Sequence, residues 1–340
     1  MAVTGGKLID LPDLYLRAGG LTSGVNAAEL VLINILSKMS PELHDAYAQP
    51  CNSEDGLSYN YSVLSKLPEV TWGRIYKGIP TSKSARTLQS ETTGWIEQAS
   101  EVEERIVEIS DNGAQVRMDE AMTFLQAMAI KAAESVWYSN SDLHSDQIMG
   151  LSPRYSDLSS KQAKNIIDAG GTGNDNTSIW FVNWGRTQVS MVYPRNLPAG
   201  LQRKDRGKIP TQDENGDTYF VYREEFTWHL GIAVADWRQA VRICNIDVSD
   251  LKAGTVNLQK LLRKAFYAMP ALGYGLNSNT LIYMNRDVDE ALDAETTNST
   301  SSDNYVRLTP ETVQGAFIHS WRGIPIRITD TLLTTESQVT

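Results

Sequence analysis

Residues 169 to 176 read AGGTGNDN, small and glycine positions followed by Asn and Asp, the composition of a loop that cradles a phosphate on its backbone amides. The order of elements around it opposes that chemistry. A phosphate loop runs strand, glycines, helix, so that free helix N-terminal amides meet the anion. Here the helical-looking stretch SKQAKNIIDAGG comes first and the apolar run TSIWFVNWG follows as a strand. The segment therefore reads as a helix C-cap, with Gly170 or Gly171 in the left-handed conformation, leading through Gly173 into a flexible turn.

The other chemical candidates are weaker still. Asp142, His144 and Asp146 form a D-x-H-x-D pattern, but a metal site needs a converging further element, and His44, His229 and His319 are scattered singly. The run from Asp213 through Asn215 and Asp217 to Glu224 imitates the start of a calcium loop, yet Thr218 stands where that loop needs glycine. A hairpin turn at Asn215-Gly216 fits those residues better. No nucleophile elbow, P-loop or H-E-x-x-H helix occurs. No catalytic residue, cofactor or metal ligand is assigned. Of the eight tryptophans, Trp72, Trp95, Trp180, Trp184, Trp228, Trp237 and Trp321 mostly fall within strand patterns, where burial in a core or an interface is the ordinary role. An enzyme or a sugar-binding protein using those strands and the glycine loop is the competing reading. Arg203, Lys204, Arg206 and Lys208 crowd into the loop-like PRNLPAGLQRKDRGKIP. Without aromatic interleaving, four such charges give only weak, salt-sensitive nucleic-acid binding. Contact with acidic residues of a neighbouring subunit, such as Glu101, Glu103 and Glu104, is the favoured use.

The elements that hold these residues can be read in outline. The chain of 340 residues is 41% hydrophobic and 21% charged, ordinary for a folded protein, and its net charge of -10 opposes general coating of nucleic acid. Its two cysteines, Cys51 and Cys244, cannot make a disulfide framework, which favours a reducing compartment. No basic-then-apolar signal peptide and no run of the roughly 20 apolar residues of a membrane helix is present. Residues 1 to 25 read as an extended arm containing Leu14 and Leu16, and Asn26 is expected to cap a helix that Pro41 interrupts. From Tyr59 to Ile109 the pattern is β-rich and polar, with a Ser/Thr/Lys tip, KGIPTSKSARTLQS, holding Lys77, Lys83 and Arg86. A long hairpin projecting from the body explains both features. The clearest helix follows, with Asp119 and Glu120 in its first turn and Met122, Leu125, Met128, Ala129, Ala132 and Val136 on one stripe. SIWFVNWGRTQVSMVY reads as a strand pair turning near Gly185, NLQKLLRKAFYAM as a helix, LIYMNRDVDEALDAE as a strand passing into a helix, and FIHSWRGIPIRITDTL as strand, glycine turn, strand. With no βαβ repeat, the class is α+β.

Several of these stretches together resemble one family. The alanine-rich helix running into VWYSNSDLHSDQIMGLSPRY, the segment VYPRNLPAGLQRKDRG, the ending RGIPIRITDTL and above all the run Trp237, Arg238, Arg242, Asn245, Ile246, Asp247 are similar to tailed-phage major capsid proteins of the epsilon15 type, within the HK97 fold. The resemblance spans nearly the whole chain in element order. It implies an N-terminal arm and short helix (1–56), an extended hairpin or E-loop (57–109), a peripheral domain with a spine helix (110–150 and 291–340) and an axial domain (151–290).

It also implies function: a structural protein, not an enzyme, that self-assembles into hexamers and pentamers of an icosahedral head enclosing double-stranded DNA. The expected inter-subunit residues are Leu14 and Leu16, Lys77, Lys83 and Arg86, and Arg203, Lys204, Arg206 and Lys208, with Gly170, Gly171 and Gly173 near a capsomer axis. The expected partners are further copies of the chain, a separate scaffolding protein, a cement or decoration protein, a portal protein and packaged DNA on the inner face, with no membrane. The expected location is the virion, after assembly in the host bacterial cytoplasm.

Overall fold

A computed structural model describes residues 41–109, 113–212, 216–270, 279–298, 311–313 and 316–340. The arm, with Leu14 and Leu16, and the helix expected after Asn26 lie outside the described residues. Within the described residues Pro41 begins α1 (Pro41–Asp45), where a missing N–H costs nothing. Strand β1 (Ala48–Pro50) follows, then β2 (Ser58–Lys66) and β3 (Ala85–Thr92), which pair antiparallel from Ser58 opposite Thr92 out to Lys66 opposite Ala85. Residues 67–84 join them without regular structure.

The projecting hairpin therefore closes at Thr92 instead of running to Ile109. β4 (Gly94–Glu103) leaves it for the body, and ERIVEI is not β-structure but forms α2 (Glu104–Ile109). Helix α3 (Gly113–Tyr138) is 26 residues long, about 39 Å at 1.5 Å per residue. It starts earlier than the apolar stripe suggests, because AQVRM continues the helix backward. Asp119 and Glu120 thus lie past its first turn and do not neutralise its dipole. Its Ala121, Leu125, Met128, Ala129, Ala132 and Val136 are buried in one line.

Next come α4 (Leu151–Arg154), a 3-10 turn (Lys161–Asn165) and β5 (Ile166–Asp168). The helix expected before the glycines is thus a short turn and a strand; β-branched Ile166 and Ile167 pair parallel with a later strand instead of continuing a helix. β6 (Asn176–Asn183) and β7 (Val189–Tyr193) do not form the expected strand pair. Trp184 bridges Val189 in parallel and the chain passes into a different sheet. The basic segment is also no loop: β8 (Leu201–Gln212) pairs along β9 (Thr218–Val234). A bulge between Asp205 and Gly207, with Gly207 at φ 71°, breaks the alternation that would have revealed the strand. Gly216 at φ 86° stands in the connecting turn, where the hairpin was expected.

Asp236 caps a 3-10 turn (Trp237–Gln239) ahead of β10 (Ala240–Asp247). Asp247 and Asn257 then cap α5 (Val248–Lys252) and α6 (Leu258–Ala268), accepting from the amides of Asp250 at 3.0 Å and Lys260 at 2.7 Å. The chain ends through β11 (Thr280–Met284), α7 (Arg286–Asn298), β12 (Glu311–Val313), β13 (Ala316–Ile318), β14 (Ser320–Trp321) and β15 (Ile324–Ile328).

Two sheets organise the body. One has the order β1-β7-β9-β4 with β8 also on β9; the other runs β14-β15-β11-β6-β10-β5. Strand β6 is buried along its whole length and divides the interior. Trp180 and Val182 face the core shared with α3, while Ile179 and Phe181 face the core shared with α6. The sheets do not respect the boundaries expected at 150 and 290: β15 pairs with β11, and β7 and β9 lie with β1 and β4. Strand pairing joins distant segments, and those pairings carry no local sequence mark.

Candidate inter-subunit surfaces

The β2–β3 hairpin carries its apolar side chains in the open. Val70, Trp72, Ile75 and Ile79 in the connecting segment are 92%, 97%, 87% and 93% exposed, so none of the described residues covers them. Apolar side chains clustered on a protruding segment mark an interaction surface. Lys77 and Lys83 are equally exposed in that tip, and Arg86 lies on β3 opposite Leu64.

The hairpin root, by contrast, is clamped. Glu91 on β3 receives both guanidinium nitrogens of Arg154, at 2.5 and 2.7 Å, and the Tyr61 hydroxyl at 3.0 Å. Arg154 also donates to the carbonyls of Gly150, Met149 and Ile232. Burial and the Glu91 carboxylate together push the Tyr61 phenol up. Behind Arg154, the Arg242 guanidinium holds α4 by its Ser152 and Tyr155 carbonyls at 3.3 and 2.9 Å. Arg242 is itself buried against Glu336 at 2.8 Å and lies 5.3 Å over the Trp180 ring. Glu336 accepts in turn from Tyr138, the last residue of α3, at 2.5 Å, and from Ser178. The two clusters meet on either side of α4, which thus ties the hairpin root to the end of the long helix. Glu91 and Glu336 carry no local sequence signal, whereas Tyr138, Arg154 and Arg242 fall in stretches that carry the family resemblance, without any mark of this contact.

The basic cluster is occupied within the chain. Arg203 meets Glu224 at 2.9 Å, Arg206 meets Glu225 at 2.6 Å, and Lys208 meets Glu104. Arg117 from α3 joins at 2.8 Å to Asp205 and 2.5 Å to Glu224. Lys204 is exposed opposite Glu225. These charges brace the β8–β9 hairpin against α3, which leaves little of them for an acidic neighbour.

The glycine loop is folded back on β10. Gly170 is left-handed at φ 95°, and Gly171 donates to the Asn245 carbonyl at 2.9 Å. A Cβ on Gly171 would come within 2.6 Å of that same oxygen, so close approach demands glycine. Asp168, Asp175 and Asp247 line the loop: Asp168 accepts from the Gly170 amide, and Asp175 and Asp247 both accept from Ser249. Three carboxylates around it repel a phosphate. Asn245, at φ 55°, locks the loop to the chain end by accepting from the Val339 amide and donating to its carbonyl. Among the described residues no group of three His, Cys, Asp or Glu is placed to hold a metal, and no helix is long and apolar enough to cross a membrane. Asp142, His144 and Asp146 lie exposed in the loop after α3.

This mixed helix-and-sheet fold matches the HK97-like phage capsid structures. The capsid chain of bacteriophage epsilon15 superposes with a TM-score of 0.69 at 30% identity, over 87% of this chain and 88% of that one. The procapsid chain of bacteriophage JBD30 has a TM-score of 0.45 at 13% identity, over 93% and 99%, and the SrpI encapsulin of Synechococcus elongatus PCC 7942 has 0.41 at 10%, over 59% and 85%. No curated protein matches the chain in sequence. The family profile described as major capsid protein GP7 matches residues 25–340. The protein belongs to that family: it is a phage major capsid protein and a component of the virion.

Proposed function

We propose that the chain builds an icosahedral head of hexamers and pentamers around double-stranded DNA, chiefly by laying its hairpin over a neighbouring subunit. The observation that carries this reading is the contrast within the hairpin, whose root is held by Arg154 while its tip presents bare apolar side chains. A single weak contact repeated over a closed lattice suffices to stabilise a shell. The five-stranded sheet with α3 serves as the peripheral body and the six-stranded sheet as the axial body, which revises the boundaries expected from sequence. Gly170, Gly171 and Gly173 belong to the axial body, and the arm with Leu14 and Leu16 supplies a further contact. The role is structural, with no catalytic step. A separate scaffolding protein, a portal, a cement protein and DNA on the inner face are the partners this reading calls for, and assembly takes place in the host bacterial cytoplasm. Nothing in the comparisons supports an enzyme or a carbohydrate-binding protein.

Deleting residues 67–84 tests the reading. The truncated subunit is expected to fold, by circular dichroism, yet to stay as small species in size-exclusion chromatography and negative-stain microscopy. Normal shells from it would sink the hairpin's role.

A further inference from the structure

Strands β14 and β15 are joined by Arg322 and Gly323, with φ of 50° and 78°. Positive φ at both positions is the type I′ pattern, which Asn-Gly satisfies readily and an arginine does not. A strained arginine retained in a tight turn points to a use for its side chain. The guanidinium lies 4.9 Å over the Trp321 ring, 5.3 Å over Phe266 and 5.9 Å over Tyr267. Trp321 is itself held by Gln259, to which its indole N–H donates at 2.9 Å. Three rings therefore fix the guanidinium in one orientation at the surface, with Tyr267 73% exposed beside it.

No carboxylate among the described residues pairs with Arg322. The adjoining helix α6 adds exposed Lys260, Arg263 and Lys264, has no acidic residue in its sequence, and none of these three forms an ion pair with a described residue. An arginine caged by aromatic rings, with spare positive charge around it, is the composition of a protein interface hot spot. The chain's net charge of -10 makes a second copy of itself the complementary partner. A nucleic-acid backbone would accept the charge but gives no reason for a single enforced orientation.

We infer that Arg322, Tyr267 and the basic face of α6 form a second inter-subunit contact, seating a carboxylate-bearing surface of a neighbouring copy. The inference rests on the shell reading and adds a contact independent of the hairpin.

Arg322→Asn tests it in the full-length chain, because asparagine suits the turn. The variant is expected to keep or raise the subunit's Tm while raising the protein concentration needed for assembly by at least about fivefold. Tyr267→Ala, at an exposed position, is expected to do the same, and Arg322→Lys to recover only part of the loss. Arg322→Asn shells formed at the wild-type concentration would overturn the inference while leaving the shell reading intact. So would a fall in Tm that accounts for the lost assembly, or a loss of affinity for a short DNA duplex with assembly unchanged. If the wild-type chain run in parallel forms no capsomers or shells, the inference falls together with the reading beneath it.

Discussion

Arg154 and Glu91 stand 63 residues apart in sequence and meet through two parallel hydrogen bonds at 2.5 and 2.7 Å. This fork-to-fork contact is the main charged tie between the hairpin root and the body. Their side chains are only 16% and 13% exposed, so truncating either strands its partner in a poorly hydrated place. Glu91→Ala or Arg154→Ala is expected to cost about 2–3 kcal/mol of subunit stability. It should also speed limited proteolysis within residues 58–92. Unchanged cleavage there would mean that the hairpin is held by other contacts. Arg154→Lys keeps the charge without the fork and should fall between.

The Arg242–Glu336 pair is buried far more deeply, at 4% and 5% exposure. Glu336→Ala leaves the guanidinium uncompensated and also frees the hydroxyls of Tyr138 and Ser178. A loss of about 3–5 kcal/mol in urea unfolding is expected, larger than at Glu91. An Arg242→Met, Glu336→Met pair should be milder than Glu336→Ala alone, since no buried charge is left stranded. The reverse ranking would show that the pair contributes through more than charge compensation.

Two carboxyls in α1 respond to pH in opposite senses. Burial raises Glu42 above its ordinary value of 4.5, outweighing hydrogen bonds that include those from Thr331 and Thr329. The folded chain then holds this proton more tightly than the unfolded chain. That contribution is complete below pH 4.5 and is lost as pH rises through the raised value. At Asp45 burial also acts upward, but the bonds from His44 and Arg327 overcome it and the net shift is downward from 3.8. Its contribution is present above pH 3.8 and is lost as pH falls through the lowered value. In Tm measured from about pH 3 to 8, Glu42→Gln should flatten the decline on the rising side and Asp45→Asn the decline on the acid side. Parallel curves for wild type and Glu42→Gln would remove Glu42 from the account.

Trp72 and Ile75 face solvent almost entirely, and that separates folding from assembly. The double change Trp72→Ser, Ile75→Ser should alter subunit stability by no more than about 0.5 kcal/mol. The same change should weaken shell formation, read as the fraction eluting in the void volume. Loss of stability without loss of assembly would place these side chains in the wrong role.

What was legible in sequence follows from the range of the forces involved. The α3 stripe, the α6 helix and the strand-to-helix passage at β11 are local patterns, and they stand as read. The hairpin was visible because polar β-rich sequence with a long tip has no place in a monomer core. Its end at Thr92 was not visible, since only β9, more than a hundred residues on, draws β4 away. The β8 strand was hidden by one bulge. The basic residues 203 to 208 look unpaired in the sequence because their partners, Glu224, Glu225 and Glu104, lie elsewhere in the chain. Arg154 and Glu91 have no neighbours in sequence that announce them, and Arg322 is unusual only once its backbone angle is known.

Strand β6 sends alternate side chains into two cores, and the chain crosses between the two sheets on each side of it. Neither sheet can be completed from one continuous piece of sequence, so unfolding of the body should be a single transition seen alike by every probe. Most strand pairings join residues far apart, which makes folding slow compared with helical proteins of this size. A subunit still folding adds its exposed strand edges and apolar side chains to the bare tip that the finished hairpin also carries. The concentration at which subunits accumulate before folding is complete therefore sets the competition between ordered shells and disordered aggregates.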